Sequence, residues 1–120
     1  MRPDLYLIVN PRAHQGRARL RARRYRERLR AAGVPFRWGR AHTLEGVGIL
    51  ARRAVRAGYG CIVAVGGDGT VNRVLDGLIA SAPADARPAL GVLYAGTSPD
   101  FCRYHGLPIR EEDAVRTLLA

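Results

Sequence analysis

The sequence predicts a doubly wound α/β domain, in which a mostly parallel sheet carries helices on both faces. Three observations lead there. Short runs of consecutive apolar residues, the mark of strands buried on both faces, alternate with longer segments whose apolar residues recur every three or four positions. Glycine or proline punctuates most junctions between the two patterns. Finally, 120 residues with 48% hydrophobic content suit one core, and strands alternating with helices are joined most simply by parallel crossovers.

The elements follow in order. Leu5–Val9 is an apolar run closed by Asn10-Pro11, and reads as the first strand. From Arg17 to Ala32, Ala18, Ala22, Tyr25, Leu29 and Ala32 form an apolar stripe, and eight arginines fill most of the remainder. One side of that helix can dock on a sheet while the other stays wet, and Gly33 stops it. Val34 to Trp38 reads as a second strand, placed near a sheet edge by Pro35. Val47, Leu50, Ala51, Ala54 and Val55 mark the next helix, ended by Gly58 and Gly60. Cys61–Val65 is the clearest strand. After Gly66-Gly67-Asp68-Gly69-Thr70 comes a helix expected to turn Val71, Val74, Leu75, Leu78 and Ile79 inward. Ser81 to Pro88 is a connection, Ala89 to Tyr94 a strand and Ala95 to Pro99 a turn. Arg110 to Ala120 begins a helix with Glu111, Glu112 and Asp113 in its first turn, where acids are favourable. That helix has no terminal cap for its apolar face, so truncation of a larger protein is expected.

Composition removes several chemistries. All 20 basic residues are arginine, which excludes a Walker A lysine, a lysine Schiff base and a Ser-Lys pair. Cys61 and Cys102 form no CxxC pair, and His14, His42 and His105 are scattered, so neither a disulfide scaffold nor a zinc site is indicated. Both cysteines are expected to pack rather than react. The net charge of +10 favours a polyanionic partner, either an anionic membrane or nucleic acid. Nucleic acid is disfavoured because the aromatics do not interleave with arginines on one evident strand surface. Without a long apolar run or a secretory signal at the start, the expected location is cytoplasmic or peripheral at the inner face of a membrane.

Gly66-Gly67-Asp68-Gly69-Thr70 lies between a strand and a helix, where backbone N–H groups and the helix amino end can face an anion. Its glycines permit positive φ or close backbone approach, Asp68 can organise Mg2+, and Thr70 can cap the helix or donate to a phosphoryl oxygen. GxGxxG is absent, and the carboxylate of Asp68 would repel a bare pyrophosphate, so a metal-nucleotide is preferred over NAD. The alternatives are plain: a tight turn with an exposed Asp68, and at Asn10 a simple Asx-turn. Arg17 and Arg19 lie just beyond the first turn and within reach of a phosphate, although most arginines of such a helix are solvated charges.

Three motifs then carry a resemblance. Asn10-Pro11 with Gly16, Gly66 to Thr70 continuing into Val71-Asn72, and Gly96-Thr97-Ser98-Pro99-Asp100-Phe101-Cys102-Arg103 followed by Gly106-Leu107-Pro108 resemble the amino-terminal part of the diacylglycerol kinase catalytic domain family, which includes bacterial lipid kinases and sphingosine kinases. The resemblance implies an ATP-binding α/β domain, a second β-rich domain absent from this chain, and phosphorylation of a lipid alcohol such as diacylglycerol at a membrane surface. It implies that Gly66, Gly67, Asp68, Gly69 and Thr70 surround the phosphates of ATP and Mg2+, with Asn72 beside them. Asn10, the turn to Gly16, Thr43, Gly96 and Thr97 would line the nucleotide pocket, and Asp100 would organise the last loop. The catalytic base is expected in the absent domain, so the 120 residues alone are expected to be inactive; a non-catalytic nucleotide-binding fragment, an NAD kinase-like enzyme and a homodimer stay open. The family pattern GTxND reads here with Pro99 in place of Asn, removing a side-chain amide and a backbone N–H.

Overall fold

The computed structural model describes residues 4–12, 16–96 and 100–119, apart from the side chains of Asp100 and Phe101. Four strands, β1 (Leu5–Val9), β2 (Phe36–Arg40), β3 (Cys61–Gly66) and β4 (Ala89–Tyr94), form one sheet in the order β2-β1-β3-β4, every neighbouring pair parallel. Between them run α1 (Arg17–Ala31), α2 (Leu44–Ala57) and α3 (Asp68–Ser81); α4 (Asp100–His105) and α5 (Glu111–Leu119) follow β4.

The doubly wound prediction holds because the strands bury both faces. Leu7, Val9, Val63, Val65 and Leu93 pack with Ala18, Ala22, Tyr25 and Leu29 of α1 and Ala114 and Val115 of α5. Ile8, Ile62 and Ala64 point the other way, onto Val47, Ala51 and Ala54 of α2 and Val71, Val74 and Leu78 of α3. Alternate side chains of a strand face opposite sides, so each apolar run supplies two cores at once. Winding reverses at β1: α1 leads outward to β2, whereas α2 returns past β1 to β3 on the other face. The crevice where winding reverses, outside the carboxyl ends of β1 and β3, is the usual ligand position in open α/β sheets.

Four expectations need correction. β2 begins two residues later than predicted, because Val34 remains in the turn out of α1 after Gly33 at φ +74° and donates its N–H to the Leu29 carbonyl; its predicted edge position is right. Ile79 is 52% exposed, and α3 buries Gly77 instead, which brings its backbone close to α2. α4 went unpredicted: six residues are too few to show a period. Cys61 is only half-buried, while Cys102 is buried as expected.

Candidate functional site

Backbone hydrogen bonds lace the carboxyl ends of the four strands together. The N–H of Ala41 after β2 donates to the Val9 carbonyl at 3.0 Å, that of Asn10 after β1 to Val65 at 3.1 Å, and that of Ala95 after β4 to Gly66 at 2.8 Å. Each strand therefore hands its loop to one common edge.

Asn10 uses its whole amide there. Its Oδ1 accepts from the Arg12 N–H at 3.1 Å, closing an Asx-turn, while Nδ2 donates to Thr70 Oγ1 at 3.3 Å. The Asx-turn expected at Asn10 is thus present, and aspartate in its place would lose the donor that joins the β1 loop to α3. Thr70 is 2% exposed and lies inside α3, so it does not cap that helix; Gly67 occupies the cap position and makes no side-chain cap bond. First-turn amides of a helix have no intrahelical partner, and at α3 they open beside Asp68.

The glycines serve close approach rather than positive φ. A Cβ on Gly66 would lie 2.6 Å from Thr70 Oγ1, and one on Gly67 3.2 Å from the Gly96 Cα. A Cβ on Gly96 would overlap the Gly67 backbone. Gly67 itself has φ −91°. The loops after β3 and β4 therefore meet glycine on glycine, which leaves a side-chain-poor floor at the sheet edge. Gly69 is exposed and lies beside Leu44, the first residue of α2.

The remaining predicted residues fall around this floor. Thr43 precedes Leu44, is exposed, and accepts the Gly46 N–H at 3.0 Å as the cap of α2. Asn72 is exposed on α3. Gly16, at φ +87°, turns the chain into α1. Arg17 shares a cavity of about 400 Å³ with Leu20, Arg21, Ala95 and Gly96, so the fold brings the start of α1 to the loop after β4. Thr97, Ser98 and Pro99, together with the side chain of Asp100, lie outside the described residues. Arg40, which sequence reasoning overlooked, and His42, which it set aside as a scattered histidine, line with Pro11, Arg12, Gly16 and Arg19 a cavity of about 600 Å³ beside Asn10. Their signal was position: correct placement of β2 puts both at its carboxyl end.

Cys102 of α4 sits near Asp68; burial, then the Asp68 charge, pushes its thiol above the ordinary range, which disfavours the thiolate. Among the described residues no three His, Cys, Asp or Glu side chains converge on a metal position. A single carboxylate fits a magnesium ion that arrives with phosphates and keeps waters as its other ligands.

Residues 4–120 match the diacylglycerol kinase catalytic domain family. The chain belongs to that family. A Chromohalobacter salexigens protein named "Probable lipid kinase YegS-like" is 38% identical over 117 residues, 97% of this chain and 36% of the relative. The diacylglycerol kinase of Bacillus subtilis is 48% identical over 58 residues, 48% of this chain and 18% of that one. A crystal structure of a diacylglycerol kinase from Bacillus anthracis superposes with a TM-score of 0.77 at 30% identity, covering 95% of this chain and 40% of that chain. The chain thus spans well under half the length of these relatives. The parallel sheet with flanking helices is the arrangement this similarity implies.

Proposed function

We propose that the chain is the nucleotide-binding part of a lipid kinase that transfers the γ-phosphoryl group of ATP to the hydroxyl of a lipid alcohol such as diacylglycerol. The observation that carries this reading is the glycine-floored edge at which Asn10 bonds Thr70 and Gly67 meets Gly96. A phosphate chain needs close backbone approach and oriented N–H donors, and side chains at Gly66, Gly67 or Gly96 would close that space. Asn10 and Thr70 hold the two loops in register, the first turn of α3 supplies amides, and Asp68 supplies a carboxylate to the magnesium that accompanies ATP. Magnesium, when bound, neutralises charge developing on the phosphates. Thr43, Gly16, Asn72, Thr97 and Asp100 complete the nucleotide surroundings in this reading, with Arg17 among the arginines that share a cavity with Gly96.

The acceptor hydroxyl and its base are assigned to a second domain, beyond these residues. The lipid is met at a membrane surface on the cytoplasmic side, where each basic residue near an anionic leaflet contributes about 1 kcal/mol.

Calorimetric titration of Mg-ATP tests the site. Asp68→Ala should weaken binding roughly tenfold, the scale of one lost charge-assisted contact, and unchanged affinity removes Asp68 from it. Residues 1–120 alone should phosphorylate diacylglycerol slowly or not at all; robust turnover would show that the second domain is dispensable.

A further inference from the structure

A second group of charges lies between α1 and the edge strand β2, next to the turn that leaves β1. Arg19, Arg23 and Arg26 occupy successive turns of one side of α1, and with Arg40 of β2 and Val9 and Pro11 at the end of β1 they line a groove of about 180 Å³ beside Trp38. The Arg26 guanidinium lies over the Trp38 ring at 3.9 Å from its centre, and that of Arg40 lies at 5.3 Å. One indole thus orients two cations toward the same space. Arg23 shares an exposed ion pair with Glu27 at 3.3 Å. Among the described residues no carboxylate pairs with Arg19, Arg26 or Arg40. Burial first, then the charges of Arg30, Arg40 and Arg23, draws Arg26 below the ordinary guanidinium range, a sign of crowded like charges.

We propose that this groove is an anion site for a phosphate group; it adjoins the cavity beside Asn10, with which it shares Pro11, Arg19 and Arg40, and adds Arg23, Arg26 and Trp38 to them. Its volume suits a phosphate or a headgroup. Guanidinium forks match phosphate oxygens in geometry, and several of them converging favour a multiply charged phosphate over a lone carboxylate. The phosphate belongs either to a soluble phosphate ester or to an anionic lipid headgroup; the chemistry at the groove is the same. Nothing in this inference depends on the kinase reading.

Trp38 is the only tryptophan, so its fluorescence reports on the groove directly. The test is titration at fixed, near-physiological ionic strength with inorganic phosphate and with glycerol phosphate, beside vesicles of phosphatidylcholine with or without phosphatidic acid. A saturable change is expected from at least one phosphate-bearing probe. Arg40→Gln and Arg26→Gln should each weaken it roughly tenfold, while Arg56→Gln on α2 leaves it intact. A response to soluble phosphate identifies a free ester as the ligand, and one confined to phosphatidic acid vesicles identifies a headgroup; either supports the site. No saturable response, equal weakening by Arg56→Gln, or a response only to a single-stranded oligonucleotide overturns it.

Discussion

The two flanks of α1 carry the same residue type and meet opposite fates. Toward α5, Arg24 donates from Nε to both carboxylate oxygens of Glu111 at 3.0 Å and from Nη2 to Oε2 at 2.7 Å. Arg21 reaches the same carboxylate at 3.4 Å and Arg28 at 3.9 Å, and Arg21 also donates to the Ile109 carbonyl. One acid at the start of α5 thus serves three arginines. Toward β2, Arg19 and Arg26 face Trp38 and Arg40 with no such acid among the described residues. The first flank is a clamp that holds the chain after β4 against α1; the second leaves its cations open to the anion proposed for the groove. The expected solvated arginine face is therefore neither uniform nor merely solvated.

The contrast can be broken at three depths. Tyr25 is fully buried between the flanks and donates its hydroxyl to the Tyr94 carbonyl at 2.6 Å. Tyr25→Ala should destabilise by about 3–5 kcal/mol in urea unfolding, because it removes the anchor common to both sides.

Glu111→Gln should cost about 2 kcal/mol, since three cations lose a carboxylate whose side chain is 15% exposed. Its pH dependence sharpens the point. Hydrogen bonding from Arg24, with the nearby arginine charges, holds Glu111 below its ordinary 4.5 against a smaller opposing effect of burial. A carboxylate with a depressed folded pKa stabilises fully above the unfolded value and loses that contribution as pH falls through the folded one. The stability gap between wild type and Glu111→Gln should therefore be full near neutrality and shrink below about 4.5, as thermal melts would show.

Arg26→Gln should change stability by no more than about 0.5 kcal/mol, because lost stacking on Trp38 is offset by relief of like-charge crowding. A loss comparable to that of Glu111→Gln would mean that both flanks are structural.

Much of the fold was legible along the chain. Leu5–Val9, Cys61–Val65 and Ala89–Tyr94 announce themselves as apolar runs, and Ala18, Ala22, Tyr25 and Leu29 announce a docked helix, because periodicity is a local property that burial enforces. The glycine edge was legible too, since strand, glycines and helix are adjacent in sequence. Less could be read where neighbours decide. Ile79 fits the period of α3 and still faces solvent, and Phe36, Trp38 and Arg40 interleave with the arginines of α1 only once β2 is shifted by two residues.

By itself, then, the amino-acid order determined the alternating sheet, the exclusion of lysine chemistry, and the turn that takes phosphate in the proposed site. The tertiary structure decided that Asn10 holds Thr70, that Gly96 lies on Gly67, and that Glu111 rather than water answers Arg21, Arg24 and Arg28. Hydrophobic period and turn chemistry act within a few residues, whereas charge pairing and close approach depend on segments far apart in the chain becoming neighbours.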